Sequence, residues 1–422
     1  MKISIIQPSR NNLKYLQWAY HAIRKNQGNH EVEICIADDA STDGTLEWLH
    51  ELQKVDDDVK FHINEGPERL GHTILYDTLI NEVASHDICM IYHADMYLMP
   101  GALDQIEHKL KDKTIVSLTR IEPPLHPGGP EKMLMDFGVE PEEFKETELL
   151  EWFKDIQLSQ ATKITEGIFA PWAFYKKDFQ EIGGHDPLYA PQSKEDSDIF
   201  NRFQLNGIKF IQTWGGCVYH MTCRGSRRNT IDKAKNIYED SPEWLAQNEI
   251  STRNFIRKWG HFVKHDALMK PIIPSKYDVG FIINNPNLQL IDVLEPWCST
   301  MYCNDHIDDS TIKLNGPKLV KDMISHYIKT QTTSIDLYEK FKPYPIHQPE
   351  KGILVDIDGN NFTQQDFDYI MKLPEILDNE YKRLEQELMH HSDDPEFELG
   401  NLGITITSLR TTEEDLIICK KQ

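Results

Sequence analysis

The sequence predicts an α/β protein: a mostly parallel sheet flanked by helices, then a helical extension and a C-terminal α+β unit. In the first half, short apolar runs alternate with stretches of helical spacing, which is the pattern of strands joined by helices. Polar residues follow directly after several of these runs. Beyond residue 270, alternating runs such as VGFIIN and GITITSL replace this pattern. We therefore expect three parts, at 1–225, 226–270 and 271–422.

The apolar runs define the predicted strands in chain order. They lie at 3–6, 32–37, 59–63, 88–92 and 115–118. The run at 88–92 has no polar alternation, which is typical of a strand buried on both faces. Apolar residues recur at helical spacing after Thr42 and after Gly71, and Pro100 is placed to open another helix. The acidic stretch 140–155 is predicted to be a helix with a solvated face.

The composition narrows the class of protein. The 422 residues include 45 Lys and Arg against 68 Asp and Glu, a formal charge of −23, which argues against binding of nucleic acid. Seven cysteines are scattered without a C-x-x-C pair, which favours reduced thiols. No stretch approaches the roughly 20 apolar residues of a transmembrane segment, and no signal peptide is recognisable. We expect a soluble cytoplasmic protein, of an oligomeric state that the sequence does not indicate.

Polar residues at the strand ends are the first candidate site residues, because ligands of parallel sheets bind at the carboxyl ends of the strands. Asp38 and Asp39 end the second strand, and a carboxylate there can accept the imide N–H of uracil. An aspartate pair that only caps the next helix is an equal alternative. His93 and Asp95 follow the most buried strand, at a spacing that lets both reach one ion or one diphosphate. A structural hydrogen bond between them is the commoner arrangement.

A second group of carboxylates begins a predicted helix. Glu195, Asp196 and Asp198 precede an apolar helix face, so they lie in its first turn. The helix dipole favours their ionised form, and an ionised carboxylate can remove a proton from an attacking hydroxyl group. Ordinary N-terminal helix charge is the alternative, and the more frequent one.

A histidine and a basic cluster follow the last strand of the first half. His220 offers an imidazole that can ligate a metal, although a hydrogen-bonded core histidine is the alternative. The densest basic cluster of the chain follows it and would suit a diphosphate; it consists of Arg224, Arg227 and Arg228.

Other familiar sites are absent from the sequence. There is no G-x-x-x-x-G-K-[ST] loop, no G-x-G-x-x-G turn, no H-E-x-x-H and no G-x-S-x-G. The run from Asp356 to Asn360 starts like a calcium loop, but Asn361 stands at the sharp-turn position and Phe367 where the bidentate Glu belongs. A polar turn is the better interpretation.

Five motifs occur in a recognisable order. They are IIQPSRN (5–11), DDASTDGT (38–45), HADMYLMPGAL (93–103), GGHD (183–186) with EDSD (195–198), and the histidine at 220. Together they resemble an inverting nucleotide-sugar glycosyltransferase of the GT-A fold, similar to family 2, over about residues 1–225. The remainder of the chain from about 271 resembles no family that we can name.

The resemblance implies a role for each motif. The donor would be bound by Pro8, Ser9, Arg10, Asp38, Asp39, Asp95 and Arg224. A divalent cation, Mn²⁺ or Mg²⁺, would be held by Asp95, His220 and His93. Asp196 would be the general base, and the acceptor would be bound by Glu195, Asp198, Trp172 and Trp214. His93 stands where the family has the first Asp of D-x-D, which favours an ion that accepts imidazole, such as Mn²⁺, and leaves metal independence open.

The implied function is transfer of a sugar from a nucleoside diphosphate, with UDP favoured, to a hydroxyl group of a glycan or other acceptor in polysaccharide biosynthesis. Two alternatives stay open. A nucleotidyltransferase would use a related sheet but needs a Gly-rich loop, which Ser9–Arg10–Asn11–Asn12 lacks. A catalytically degenerate nucleotide- or glycan-binding module is compatible with His93 in place of Asp.

Overall fold

The computed structural model describes residues 1–222, 240–304, 340–343, 352–387 and 396–419. Contacts divide the chain into two compact units, which are described separately. Unit 1 comprises Met1–Asn248, Lys264–Ile272 and Ile417–Gln422. Unit 2 comprises Glu249–Val263 and Ile273–Leu416. No helix in the described part of the chain is both long and apolar enough to cross a membrane.

Unit 1 alternates strands and helices over its first half. Its strands are β1 (Lys2–Ser9), β2 (Glu31–Asp39), β3 (Val59–Asn64), β4 (Ile88–Ile91), β5 (Met96–Leu98), β6 (Thr114–Glu122), β7 (Lys132–Leu134), β8 (Ile164–Thr165), β9 (Trp172–Tyr175) and β10 (Lys209–His220). Its helices are α1 (Leu13–Asn26), α2 (Thr45–Leu52), α3 (His72–Thr78), α4 (Ala102–Lys109), α5 (Glu146–Gln160), α6 (Lys176–Glu181) and α7 (Glu195–Leu205). The five predicted strands all form.

These ten strands make one mixed sheet. Eight of them follow the order β3-β2-β1-β4-β9-β6-β10-β5, with β7 beside β6 and β8 beside β10. The neighbours β3, β2, β1 and β4 are parallel, as are β6 and β10. Strand β9 runs antiparallel to both β4 and β6, and β5 runs antiparallel to β10. The predicted α/β class is confirmed, although the second half of the sheet is less parallel than expected because β9 and β5 enter it in reverse.

Helix α5 differs from its prediction as a solvated acidic element. It begins at Glu146, and it buries Leu149 and Phe153, which are four residues apart and therefore share a face. These side chains pack in an aromatic cluster that includes Tyr97 and Tyr219. The many acidic residues of this stretch suggested a solvated helix, whereas Leu149 and Phe153 form a short apolar stripe that packs the helix against the protein.

Helix α8 (Pro242–Trp259) is shared between the two units. Unit 2 continues with β11 (Val279–Asn284), α9 (Leu288–Leu294), β12 (Thr300–Asn304), β13 (Phe341–Pro343), β14 (Ile353–Asp358), α10 (Gln364–Met371), α11 (Leu373–Glu387), β15 (Glu396–Leu399) and β16 (Leu402–Ile406). Its sheet has the order β13-β12-β11-β14-β16-β15, in which the first four strands are parallel. The predicted second sheet in the C-terminal part is therefore present.

Candidate active site

The carboxyl ends of β1, β2 and β4 meet at one edge of the sheet in unit 1. The register pairs Ser9 at the end of β1 with Asp38 on β2, and Ile6 on β1 with Ile91 at the end of β4. The loops that follow these strands therefore start side by side, as the parallel pattern predicted. Their polar residues can meet one ligand.

Three polar side chains at this edge are buried with an atom that has no hydrogen-bond partner. Within the described residues, Gln7 Oε1, Ser9 Oγ and Asp38 Oδ1 lack a partner, while Gln7 Nε2 donates to the carbonyl of His93 at 3.4 Å. Burial raises the pKa of Asp38, since it disfavours the charged carboxylate. Buried polar atoms are nearly always hydrogen-bonded, so these three mark a place where a polar ligand fits.

Asp39 is already engaged by the protein. Its Oδ1 accepts from the amide of Leu70 at 2.9 Å and from Asn64 Nδ2 at 2.8 Å, and its Oδ2 accepts from the amide of Gly71 at 2.9 Å. Arg69 Nε lies 3.6 Å from the same carboxylate. The predicted donor-binding role of Asp39 does not fit these contacts, because its oxygens hold the loop that leads into α3.

The candidate metal ligands come together. Ligand atoms of His93, Asp95 and His220 all lie within 4.8 Å of one another, and His220 Nε2 is 3.4 Å from Asp95 Oδ1. Burial lowers the pKa of His93 to about 4, so this imidazole is neutral at physiological pH and can act as a ligand. One carboxylate and two imidazoles are a donor set that suits Mn²⁺ and similar divalent ions. The residues present therefore fit a cation.

Glu122, at the end of β6, orients His220 and was missed by the sequence analysis. Its Oε1 lies 2.8 Å from His220 Nδ1, on the side of the ring opposite Asp95. Burial disfavours the charged imidazolium, but the charges of Asp95 and Glu122 outweigh it and raise the pKa of His220 to about 9. A carboxylate behind a ligating histidine is the usual way to fix which nitrogen faces the metal. The sequence held one signal for Glu122: it is a polar residue shortly after the predicted strand at 115–118.

The predicted base lies at the start of α7. Burial, with the adjacent charge of Glu195, raises the pKa of Asp196 to about 6, close to the value that suits a general base near neutral pH. Glu195 is 5% exposed, and its Oε1 lies 2.6 Å from His72 Nε2, on the first residue of α3. His72 was not foreseen, since nothing in the sequence links it to a residue 123 positions away.

The charges of the metal group and of the base group both act on Tyr76. Burial raises the pKa of Tyr76, and the negative charges of Asp196, Glu195 and Asp95 raise it further. The pKa of this one phenol is therefore raised by a carboxylate of the candidate metal cluster, Asp95, and by the carboxylates at the start of α7, Glu195 and Asp196. Asp95 and His220 lie together, whereas the convergence of all four residues named from the sequence, Asp39, Asp95, Asp196 and His220, around one activated-sugar cleft stays a prediction.

Three predicted acceptor residues lie elsewhere. Trp172 is fully buried in the core, where its ring packs 4.7 Å from that of Phe174, so it presents no face to a sugar. Asp198 is fully buried and accepts from Arg202 Nε at 2.8 Å. The predicted acceptor roles of Trp172 and Asp198 do not fit this burial, because neither side chain presents a surface to an acceptor.

Trp214, the other tryptophan, also does not fit the acceptor role. It is 6% exposed, its Nε1 donates to Thr165 Oγ1 at 3.0 Å, and Lys163 Nζ lies 3.5 Å from its ring centre. The ring is thus covered by its own neighbours. Of the remaining donor residues, Pro8 and Arg10 are half-buried beside the strand ends, and Arg224 lies outside the described residues.

Unit 1 is thus a mixed α/β unit with polar residues at its strand ends. It also has a three-residue cluster that could hold a cation, and the neighbouring carboxylates Glu195 and Asp196, of which Glu195 is buried and Asp196 half-buried. Residues 4–183 match the family model described as glycosyl transferase family 2. This match agrees with the predicted resemblance of this part of the chain to family 2 glycosyltransferases.

Among curated proteins, the chain is similar to a GalNAc(5)-diNAcBac-PP-undecaprenol beta-1,3-glucosyltransferase from Campylobacter jejuni, with 30% identity over 111 residues. The match covers 26% of this chain and 35% of that relative, so the chain spans about a third of its length.

Two solved structures are also similar to part of the chain. A structure of GalNAc-T7 with UDP, GalNAc and Mn²⁺ has 13% identity and a TM-score of 0.41, over 62% of this chain and 51% of that one. A Pyrobaculum calidifontis mannosyltransferase with GDP-Man and Mn²⁺ has 15% identity and a TM-score of 0.38, over 60% and 69%.

Proposed function

We propose that unit 1 transfers a hexose from a nucleoside-diphosphate donor, favouring UDP, to a hydroxyl group of a glycan, with inversion at the anomeric carbon. The observation that carries this proposal is the cluster of His93, Asp95 and His220, whose ligand atoms all lie within 4.8 Å of one another. A donor site, a cation cluster and a base are the parts that such a reaction requires. The curated relative acts, by its name, on a lipid-linked glycan, which supports a glycan acceptor and a place in polysaccharide biosynthesis.

The nucleobase would lie at the ends of β1 and β2. Asp38 Oδ1 and Ser9 Oγ, both without a partner in the described chain, are suited to the polar edge of a base. Uracil presents an N–H between two carbonyl groups, and a carboxylate oxygen can accept from that N–H. Burial lowers the pKa of Arg69, and the nearby positive charge of Arg10 lowers it further, so two cations lie close together here.

His93, Asp95 and His220 would hold the divalent cation. When bound, such a cation neutralises the charge that develops on the departing diphosphate. Glu122 keeps His220 oriented from behind, and binding must displace the proton that His220 otherwise carries.

Asp196 would accept the proton of the acceptor hydroxyl. The hydroxyl oxygen forms a bond to the anomeric carbon, while the bond from that carbon to the diphosphate oxygen breaks and its electron pair leaves with the diphosphate. No covalent sugar–enzyme intermediate is needed, so the configuration inverts. The raised pKa of Asp196 makes it a stronger base than an exposed carboxylate.

Asp196→Asn tests this assignment. We expect transfer from UDP-glucose, UDP-GlcNAc or GDP-mannose to fall at least about 100-fold, because general-base catalysis is lost, while affinity for the donor changes less than about threefold. Released nucleotide and product can be measured by chromatography, and the anomeric configuration by NMR. Asp57→Asn, an exposed position, is the matched control. Near-wild-type turnover of Asp196→Asn would show that the base is another group.

A further inference from the structure

His72 and Glu195 form a contact that the proposed chemistry does not yet use. His72 Nε2 lies 2.6 Å from Glu195 Oε1. Glu195 is 5% exposed, and its second oxygen, Oε2, is buried and has no hydrogen-bond partner among the described residues. A buried carboxylate oxygen without a donor is costly, so a ligand that brings a donor to Oε2 is favoured.

The backbone fixes His72 in front of Glu195. The preceding amide, of Gly71, donates to Asp39 Oδ2 at 2.9 Å, and the following amide, of Thr73, donates to the carbonyl of Pro191 at 3.5 Å. Gly71 approaches Pro191 so closely that a Cβ atom at position 71 would overlap its carbonyl oxygen. The start of α3 is therefore held against the segment that leads into α7.

Asp196, the proposed base, directly follows Glu195 in the sequence, and the charge of Glu195 affects its pKa. Burial and Glu195 raise the pKa of Asp196, while the positive charges of His72 and His185 lower it. The titratable groups around this pair are His72 and Tyr76 on α3, Arg69 before α3, and His185 with its partner Asp77. Among the described residues, none donates a hydrogen bond to the Asp196 carboxylate, so this carboxylate is available to a hydroxyl group.

We propose that His72 is a positioning residue that orients Glu195, so that Glu195 Oε2 accepts a hydrogen bond from the acceptor hydroxyl next to the one that Asp196 deprotonates. This inference rests on the proposed function and names its acceptor class, a sugar with two neighbouring free hydroxyl groups. Asp196 takes the proton of one hydroxyl, whose oxygen joins the anomeric carbon, and the neighbouring hydroxyl keeps its proton and donates it to Glu195. A single-hydroxyl acceptor leaves Oε2 without a donor.

The wild-type protein tests the acceptor class. UDP-glucose with Mn²⁺ is offered to p-nitrophenyl glycosides of galactose, glucose, mannose and N-acetylgalactosamine, and the linkage of each product is read by NMR. Removing the hydroxyl next to the linkage site in a deoxy analogue should lower kcat/KM at least about tenfold, as for a hydrogen bond to a charged group. Removing a hydroxyl that is not adjacent should lower it less than about threefold. Equal effects of both deletions would overturn the inference.

Variants of His72 test its role. His72→Leu should raise the KM for the acceptor about tenfold and abolish the discrimination against the deoxy analogue, because Glu195 loses its partner. His72→Gln, whose Nε2 can donate to Oε1, should restore most of the KM. Both variants should shift the acid limb of kcat/KM to higher pH, since they remove a positive charge that lowers the pKa of Asp196. The exposed His21 supplies the matched controls His21→Leu and His21→Gln.

The outcomes separate this inference from the proposed function. An unchanged acceptor KM in His72→Leu, or the same KM in both His72 variants, would overturn the role of His72 and leave transfer itself intact. Release of UDP without transfer to any of the glycosides would overturn the vicinal-hydroxyl assignment but not the donor site. A wild-type protein that neither releases UDP nor transfers glucose, N-acetylglucosamine or mannose would overturn the proposed function, and this inference with it.

Discussion

Asp38 and Asp39 are neighbours in the sequence but have different roles in the structure. Asp38 keeps a buried oxygen without a partner in the described chain, whereas Asp39 accepts from Asn64 and from the amides of Leu70 and Gly71. One aspartate is placed for a ligand and the other for the loop. The two should therefore respond differently to the same substitution.

Asp38→Ala should weaken UDP binding at least about tenfold, because a charge-assisted hydrogen bond is lost, and should leave the melting temperature almost unchanged. Asp39→Ala should destabilise the fold by roughly 2–4 kcal/mol, since three donors lose their acceptor. Calorimetry with UDP and denaturant unfolding measure the two effects. A large stability loss for Asp38→Ala with none for Asp39→Ala would reverse the assignment.

The sequence predicted which residues lie at the strand ends but not which of them face the ligand. Asp38, Asp95 and Asp196 were identified because each follows an apolar run or starts a helix. The donors that occupy Asp39 come from a loop about 30 residues away, and the partner of Glu195 comes from α3. Such long-range pairs are set by tertiary structure, and no local pattern records them.

At the scale of elements, the close meeting of α3 with the segment before α7 is the most specific feature of the site. Gly71 opens α3 at φ +78°, against Pro191. Strands and helices of the parallel half could be predicted from apolar runs and spacing. The reversal of β9 between β4 and β6 could not, because antiparallel and parallel strands that are buried on both faces share the same composition.

Gly71→Ala should destabilise unit 1 by more than about 2 kcal/mol. Gly71 has φ +78° and ψ 165°, a backbone region that costs other residues about 1–3 kcal/mol, and the added Cβ would also overlap Pro191. Gly207→Ala is the matched control: its φ is +77°, but nothing lies within 4 Å of the added Cβ. The Gly207→Ala variant should therefore lose only the stability that corresponds to backbone strain at positive φ, with no contribution from steric overlap. Denaturant unfolding measures both, and equal losses would mean that the approach to Pro191 is not tight.

At the scale of the whole molecule, acid stability depends on buried carboxylates that are paired. Glu33 is 3% exposed, accepts from Ser4 Oγ at 2.7 Å and from Ser85 Oγ at 2.6 Å, and pairs with Lys60. Burial opposes its charge, but Lys60 and the serines lower its pKa from 4.5 to about 2. The folded state therefore holds the Glu33 proton more weakly than the unfolded state does.

This linkage predicts a pH window. The stabilisation from Glu33, up to about 3 kcal/mol, is fully present above pH 4.5 and disappears as the pH falls through about 2. Glu33→Gln should lower the free energy of unfolding near pH 7 and flatten its decline between pH 5 and 2. Glu31→Gln, on the exposed side of the same strand, is the control. A decline in Glu33→Gln as steep as in the wild type would contradict the prediction.

The central claim is that residues far apart in the sequence form one cleft for a nucleotide-sugar and a cation. Calorimetric titration of UDP and GDP into the wild type and Asp95→Ala, each with and without Mn²⁺, tests it most directly. We predict that Mn²⁺ tightens nucleotide binding to the wild type at least about tenfold, and that Asp95→Ala binds equally weakly with and without it, because Asp95 supplies the carboxylate of the cation cluster. Full Mn²⁺ dependence in Asp95→Ala, or no binding of either nucleotide to the wild type, would contradict it.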